Sequence, residues 1–285
     1  MASKYAFFGS PRFAALVLDG LIKNNFKPIV LITNPDRPVG RKKIITKSRV
    51  KEVALKFNSE IKILEPENLK EFDEIKGLDT STSPLFGIVA AYSKIIPQSL
   101  INQFPLGIIG VHPSLLPLFR GPTPIQSAIL SGVSKTGVSL YILGPGVDDG
   151  AIIAQREISL GSEFAYLELE LELANLAVDL LGEVIPKFEK KEIKFLPQNN
   201  LEATFTKKFS TAEAFVDELD LEKALNGTDL TTVNMIDRKI RAFNPEPGAW
   251  TKKEGRRMKI IKGVVRDGKL ILKRIQYEGK KVVDL

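Results

Sequence analysis

Short apolar runs alternate with amphipathic segments along the first half of the chain. Pro28–Thr33, Leu85–Ala91 and Gly107–Val111 are typical of β-strands, and the last two are nearly all apolar. A continuous apolar run of this length is expected where a parallel strand is covered by helices on both faces. Phe13–Lys23 and Thr123–Leu130 fit helices. The alternation predicts an α/β fold with an open, mostly parallel sheet and helices on both sides.

The pattern changes in the last third of the chain. After a long helical segment, Glu163–Lys190, comes a polar stretch, and then short β-like pieces flank two helical segments, Ala212–Glu218 and Thr232–Phe243. Several short strands with charged turns predict a small barrel. We therefore predict a large domain at residues 1–190, a linker at 191–204 and a small β-rich domain at 205–285.

The small domain is the basic part of the chain. Residues 206–285 carry 18 Lys and Arg against 12 Asp and Glu, a net charge of +6, whereas residues 1–205 carry 23 against 22. A basic appendage suits a polyanion such as nucleic acid, and a solvated basic face explains the same charge equally well.

Other features of the composition narrow the class of protein. The absence of cysteine excludes disulfides and thiol catalysis, and a single histidine argues against a zinc centre. No apolar run approaches the ~18 residues of a membrane span, so we expect a soluble cytoplasmic protein. A dinucleotide site is set aside because no G-x-G-x-x-G motif is present.

His112 is the one side chain in the sequence with an ordinary pKa near neutrality, and it directly follows the apolar run Gly107–Val111. Ligands of open α/β sheets bind beyond the carboxyl ends of the strands, where a reactive group is expected. A glycine-rich loop, Gly144–Gly150, supplies Asp148, which could orient an imidazole and raise its basicity. A stray loop histidine and plain turn chemistry for Asp148 and Asp149 are the alternatives.

A basic loop follows the second predicted strand. Between residues 37 and 51 the chain has seven Lys and Arg and no acidic residue. Because the loop leaves the end of a strand, we expect it to project from the ligand-binding edge of the sheet. Such a loop could bind phosphate groups, and a merely solvated loop is the alternative.

Several motifs together resemble those of the methionyl-tRNA formyltransferase family, over nearly the whole chain. The matching segments are Phe7–Ala14, Asn34–Arg41, Ala90–Pro97, His112–Pro117, Arg120–Gln126, Gly146–Gly150, Ile240–Trp250 and Gln276–Lys281. The segments around His112 and Asp148 are shared by all 10-formyltetrahydrofolate-dependent transferases. The basic loop and the C-terminal segments indicate the member that acts on tRNA.

The resemblance implies a Rossmann-like formyltransferase domain followed by an OB-like β-barrel that binds tRNA. It implies transfer of a formyl group from 10-formyltetrahydrofolate to the α-amine of methionyl-tRNA, with release of tetrahydrofolate and without a metal. His112 would assist attack by the amine and stabilise the oxyanion, and Asp148 would hold His112. We expect a monomer without membrane attachment, since the substrate itself contacts both domains.

The resemblance also implies two sets of binding residues. The implied folate-binding residues are Leu85, Phe86, Gly87, Ile88, Val89, Ala90, Ala91, Ser114, Leu115, Leu116 and Pro117. The implied tRNA-binding residues are Arg37, Arg41, Lys42 and Lys43.

Gly110 departs from the family's catalytic Asn-x-His signature. The family's Asn helps to bind the formyl oxygen, whereas glycine has no side-chain donor. Loss of one such donor typically costs roughly 2.7–4 kcal/mol of transition-state stabilisation, and a water in the vacated space could recover part of it. We expect a formyltransferase with a reduced rate. Two alternatives stay open: a 10-formyltetrahydrofolate hydrolase, and a tRNA-binding protein with feeble catalysis.

Overall fold

The computed structural model of the protein describes residues 3–40, 43–57, 61–70, 72, 75 and 85–285. The strands are β1 (Tyr5–Phe8), β2 (Val30–Ile32), β3 (Arg37–Val39), β4 (Ile44–Thr46), β5 (Lys62–Leu64), β6 (Phe86–Ala90), β7 (Ile108–His112), β8 (Lys135–Ile142), β9 (Ile152–Ser159), β10 (Trp250–Lys253), β11 (Arg256–Arg266), β12 (Lys269–Tyr277) and β13 (Val283–Asp284). The helices are α1 (Arg12–Lys23), α2 (Arg49–Lys56), α3 (Gln98–Ile101), α4 (Pro124–Ser131), α5 (Tyr166–Glu189), α6 (Glu218–Asn226) and α7 (Leu230–Phe243), with a 3₁₀ turn at Asn200–Glu202.

The chain divides into two compact units. The first contains the described residues of 1–120, 137–157 and 171–205, and the second contains residues 121–136, 158–170 and 206–285. The predicted domain boundaries at 190 and 205 stay a prediction. Within the described ranges, no helix is long and apolar enough to cross a membrane.

A seven-stranded sheet forms the centre of the first unit, in the order β5-β2-β1-β6-β7-β8-β9. The strands from β5 to β7 pair in parallel, and β8 pairs antiparallel with β7. Phe7, Ile88 and Ile109 lie side by side in β1, β6 and β7 and are fully buried. The apolar runs therefore form covered parallel strands, and the prediction of a mostly parallel α/β sheet is confirmed.

The second unit contains a four-stranded antiparallel sheet in the order β10-β11-β12-β13. Ile236 and Ile240 of α7 belong to the same buried cluster as Met258 and Ile260 of β11 and Leu270 of β12. The apolar side of this helix thus supplies the core under the sheet. The predicted β-rich C-terminal fold is confirmed as an antiparallel sheet packed with helices.

The predicted helix at Ala212–Glu218 is wrong. Phe215 instead forms a bridge with Trp250, and α6 begins only at Glu218. The side chain of Asp217 caps that helix, since its Oδ1 accepts a hydrogen bond from the backbone N–H of Leu219 at 2.9 Å. An Asp cap of this kind sets where a helix begins.

Candidate active site

His112 is the last residue of β7 and lies at the carboxyl end of the parallel strands. The ring is buried and hydrogen-bonded at one nitrogen: Nε2 lies 2.8 Å from the carbonyl oxygen of Phe119, whereas Nδ1 faces Oδ2 of Asp148 at 3.6 Å. A carbonyl oxygen only accepts hydrogen bonds, so we assign the proton of the neutral ring to Nε2. Nδ1 therefore faces the carboxylate, which stabilises a proton that reaches this nitrogen.

Asp148 lies in the loop between β8 and β9 in a left-handed conformation, with φ at 50°. This conformation is uncommon for residues other than glycine, although Asp adopts it more readily than most, and contacts to the backbone stabilise it. Gln198 supplies such contacts, because its Nε2 donates to the carbonyl oxygens of Asp148 and Gly150 at 2.8 and 2.7 Å. The neighbouring Asp149 accepts instead from the backbone N–H of a loop glycine at 3.2 Å. The structure thus separates the two carboxylates: Asp148 faces His112, and Asp149 holds the loop.

Gly110 lies directly opposite Tyr141 in the antiparallel pair of β7 and β8. A Cβ atom placed on Gly110 would lie 2.2 Å from Cε1 of the tyrosine ring and 2.8 Å from its hydroxyl oxygen. Real Cβ atoms essentially never come within 3.0 Å of such atoms. The ring of Tyr141 therefore occupies the space in which the sequence analysis allowed for a bridging water.

The hydroxyl group of Tyr141 donates a hydrogen bond to Oδ1 of Asp148 at 2.6 Å. Burial raises the pKa of the Tyr141 phenol well above its ordinary range, and the Asp148 carboxylate raises it further. The phenol therefore stays protonated at neutral pH and remains a donor. Asp148 presents one carboxylate oxygen to Tyr141 and the other to His112.

Arg120 is buried, and its guanidinium group contacts the segment predicted as a linker. Its Nε and Nη2 donate to Oε1 of Gln198 at 3.1 and 2.7 Å, and Nη2 also donates to Oδ1 of Asn200 at 2.8 Å. The planar array of donors suits such paired acceptors. Gln198 thus connects Arg120 with the backbone of the Asp148 loop, so part of the predicted linker supports the site.

The two ends of β6 lie at different distances from the His112 end of β7. Ala90 pairs with Val111, so residues Val89–Ala91 reach the carboxyl edge of the sheet. Phe86 lies four residues earlier in the strand, about 13 Å away at 3.3 Å per residue, and Leu85 lies further still. We therefore restrict the proposed folate-binding part of this segment to Val89–Ala91.

The loop Ser114–Pro117 follows His112 and is fixed by Ser139 and Gln155. The hydroxyl of Ser139 donates to the carbonyl oxygen of Ser114 at 2.6 Å and accepts from the backbone N–H of Leu116 at 2.9 Å. Gln155 donates to the carbonyl oxygen of Leu116 at 2.8 Å. Because the side chains of Ser114 and Leu116 are buried, a ligand at this loop would meet mainly its backbone.

The predicted basic loop contains an antiparallel hairpin formed by β3 and β4. Arg37 begins β3, and Lys43 is exposed at the turn with φ at 47°. Arg41 and Lys42 lie outside the described residues. The described cations of the hairpin are thus accessible from solvent.

Acidic residues outside the basic run pair with some of its cations. Arg37 lies 3.1 Å from Glu67, and both side chains are exposed. The Nζ atom of Lys51 lies 2.9 Å from Asp36 and 2.8 Å from Glu65, and these carboxylates raise the pKa of Lys51. The charge available to a phosphate is therefore smaller than the sequence count indicates, and Lys51 has a structural role.

Known proteins match both parts of the chain. The family model described as formyl transferase matches residues 3–185, and the model of the formyl transferase C-terminal domain matches residues 231–269. The methionyl-tRNA formyltransferase of Chloroflexus aurantiacus is 36% identical over 259 residues, which are 91% of this chain and 79% of the relative. This chain belongs to the methionyl-tRNA formyltransferase family. The segment matched to formyl transferases includes His112 and Asp148.

Solved formyltransferase structures share the fold of this family member. Methionyl-tRNA formyltransferase from Clostridium thermocellum superposes with a TM-score of 0.60 at 19% identity, over 97% of this chain and 99% of that chain. An N-formyltransferase from Helicobacter canadensis, in complex with folinic acid and dTDP-3-aminofucose, gives a TM-score of 0.65 at 19% identity, over 99% and 98%. At this identity the likeness establishes the fold alone.

Sequence reasoning missed two residues of the candidate site, Tyr141 and Gln198. Tyr141 resembles an ordinary core residue of an apolar strand, and Gln198 lies in a polar stretch. The glycine at position 110 could have indicated the position of Tyr141, because a glycine inside a strand often marks the close approach of another group. Among the residues that the structure describes, no group of three or more His, Cys, Asp and Glu is placed to hold a metal ion.

Proposed function

We propose that this chain transfers the formyl group of 10-formyltetrahydrofolate to the α-amine of methionyl-tRNA. The observation that carries the proposal is the buried imidazole of His112, whose Nδ1 faces Asp148 at 3.6 Å at the carboxyl end of β7. This edge of an open α/β sheet is where ligands bind. Membership of the methionyl-tRNA formyltransferase family supports the choice of donor and acceptor.

In the proposed reaction the amine nitrogen forms a bond to the formyl carbon, and the bond from this carbon to N10 of the folate breaks. The amine loses one proton, and the departing N10 gains one. His112 can hold the transferred proton at Nδ1 because the Asp148 carboxylate stabilises the imidazolium. Both N–H groups of the charged ring then face protein acceptors, so it is the positive charge of the ring that stabilises the oxyanion developing on the formyl oxygen.

Two segments at the edge of the sheet are proposed to bind the folate. Val89–Ala91 at the end of β6 and the loop Ser114–Pro117 flank the strand that carries His112. Both segments present backbone N–H and C=O groups, which can pair with the polar edge of a pterin ring.

The tRNA is proposed to bind the hairpin cations Arg37, Arg41, Lys42 and Lys43 and the basic C-terminal part of the chain. An RNA substrate requires a cationic surface larger than the reacting centre. We further propose that the enzyme acts as a monomer in the cytoplasm, where the charged tRNA is available. Sedimentation of the protein with and without methionyl-tRNA tests the monomer.

The test is formation of formylmethionyl-tRNA from 10-formyltetrahydrofolate and methionyl-tRNA, with a parallel reaction that lacks tRNA. Formylated product from the native chain, lost in His112→Ala, supports the proposal. Folate turnover without tRNA would replace it with hydrolysis. Binding of tRNA without turnover of folate would show that the chain is a tRNA-binding protein and would replace the proposal.

A further inference from the structure

We infer that Tyr141 is a positioning residue for the formyl transfer: its ring fills the space beside Gly110, and its hydroxyl fixes the Asp148 carboxylate where it faces His112. The reaction in this inference rests on the proposed function, whereas the contacts do not. Gly110, Tyr141, His112 and Asp148 all belong to the first compact unit.

The register of β7 and β8 places Gly110 directly opposite Tyr141. Residues directly opposite each other in an antiparallel pair have their side chains on the same face. A Cβ atom on Gly110 would lie 2.2 and 2.3 Å from Cε1 and Cζ of Tyr141. Any side chain at position 110 would therefore displace the ring and remove its hydroxyl from Asp148. Glycine at 110 and tyrosine at 141 form a matched pair.

The electrostatic part follows from the two oxygens of Asp148. The bond from the Tyr141 hydroxyl to Oδ1 is short, at 2.6 Å, as expected for a donor to a charged carboxylate. The distance from Oδ2 to Nδ1 of His112 is 3.6 Å, which is longer than a hydrogen bond. Contacts of this kind often shorten only when substrate binds. The bond to Tyr141 restrains rotation of the carboxylate and so keeps Oδ2 directed at His112.

Tyr5 offers a matched control for loss of the hydroxyl. It is a fully buried tyrosine in β1 of the same sheet, and its hydroxyl donates to the carbonyl oxygen of Phe26 at 2.6 Å. Tyr5→Phe and Tyr141→Phe each remove one hydroxyl and one hydrogen bond of the same length while the ring stays. Tyr5 lies near the amino end of the strands, away from His112.

The kinetic experiment measures kcat and KM of formyl transfer for wild type, Tyr141→Phe and Tyr5→Phe. We expect Tyr141→Phe to lower kcat about 10- to 100-fold, as for loss of a hydrogen bond to a charged group, with KM for both substrates within about twofold. Tyr5→Phe should leave both constants within about twofold of wild type. Equal kcat values for the two phenylalanine variants would overturn the inference.

The single histidine of the sequence gives a second readout that needs no activity. With ¹⁵N-labelled histidine, the imidazole nitrogens of His112 give one pair of NMR signals in the full-length protein. We expect Tyr141→Phe and Asp148→Asn to shift the Nδ1 signal and Tyr5→Phe to leave it unchanged. An unshifted signal in Tyr141→Phe would overturn the inference. A wild type without transfer activity would refute the proposed function, and this NMR comparison would still decide the role of Tyr141.

The steric pairing is tested separately by the unfolding of Gly110→Ala, Tyr141→Ala and the double variant. Gly110→Ala should be strongly destabilising in the presence of Tyr141 and nearly neutral beside Ala at position 141. Two residues in contact give such non-additive effects. Additive effects of the two substitutions would show that the ring does not occupy the space beside Gly110 and would overturn the pairing.

Discussion

Replacement of Gln198 by Ala is expected to weaken both the fold and the proposed reaction. One side chain joins a buried cation to the loop that carries Asp148: its amide oxygen accepts from Arg120, and its amide nitrogen donates to the carbonyl oxygens of Asp148 and Gly150. Asp148 has a left-handed conformation, with φ at 50°, and the amide of Gln198 holds its carbonyl oxygen. Loss of the amide releases the loop and leaves Arg120 with fewer acceptors.

The magnitude can be worked out from the bonds. The amide nitrogen of Gln198 makes two bonds to carbonyl oxygens, each worth about 1 kcal/mol net, and the amide oxygen accepts from a charged donor, worth about 1.5–3 kcal/mol. Asn200 still accepts from Arg120 in the variant. We therefore expect the free energy of unfolding to fall by about 2–4 kcal/mol. A catalytic group displaced by about 1 Å can lower the rate about 100-fold, so kcat should fall at least tenfold.

Gln198→Glu separates the two contributions. Its carboxylate still accepts from Arg120, but it cannot donate to the carbonyl oxygens of the loop. In urea unfolding, Gln198→Glu should therefore be more stable than Gln198→Ala. In the kinetic assay, both variants should have a lower kcat than wild type. A Gln198→Ala variant within about 0.5 kcal/mol of wild type, with unchanged kcat, would refute the reasoning.

Three further predictions concern the proposed catalytic pair, the hairpin of β3 and β4, and the ion pairs of Lys51. His112→Ala and Asp148→Asn should each lower kcat about 100- to 10,000-fold with unchanged folding, as measured by formyl transfer and circular dichroism. The double variant Arg37→Ala and Lys43→Ala should bind methionyl-tRNA more weakly. A plot of log affinity against log salt concentration should become shallower, by about 0.7 for each phosphate that the hairpin no longer neutralises. Lys51→Met should lower the free energy of unfolding by about 1 kcal/mol, because two carboxylates lose their cation. These carboxylates raise the pKa of Lys51 above the ordinary lysine value of 10.5. The ion pairs therefore contribute their full stability below pH 10.5, and this stability is lost as the pH rises through the raised pKa. Measurement of unfolding between about pH 8 and pH 12 tests this pH dependence.

Full activity of His112→Ala would remove the histidine from the reaction. A salt slope unchanged by the hairpin substitutions would mean that Arg37 and Lys43 do not contact phosphate. A Lys51→Met variant with the same pH dependence of unfolding as wild type would mean that its ion pairs do not contribute. Glu163, far along the chain from Lys51, is exposed and outside the described α-helices, so Glu163→Gln serves as a charge-change control.

Local patterns in the sequence predicted the central sheet because covered parallel strands are continuously apolar. β6 and β7 each begin one residue after the start of the predicted apolar run. The position of His112 at the carboxyl end of β7 could be predicted in the same way. The partnership of Tyr141 with Gly110 depends instead on the register of two antiparallel strands, which no local pattern contains. Gln198 donates to backbone carbonyl groups that are about 50 residues away in the sequence. Because the polar composition around Gln198 does not reveal these contacts, that composition indicated only a linker. The error at residues 212–218 arose because the cap at Asp217 was not recognised.

The close fit between Gly110 and Tyr141 restricts the order in which this site can change by mutation. A side chain at position 110 has to displace the ring while Tyr141 remains, whereas a smaller residue at position 141 opens the space first. A first substitution at position 110 and a first substitution at position 141 are therefore not equivalent. A series of substitutions at position 110 alone would measure the clash with the ring instead of the effect of a new hydrogen-bond donor. Conversion of this site to one with an amide at position 110 requires an evolutionary or engineered path through position 141.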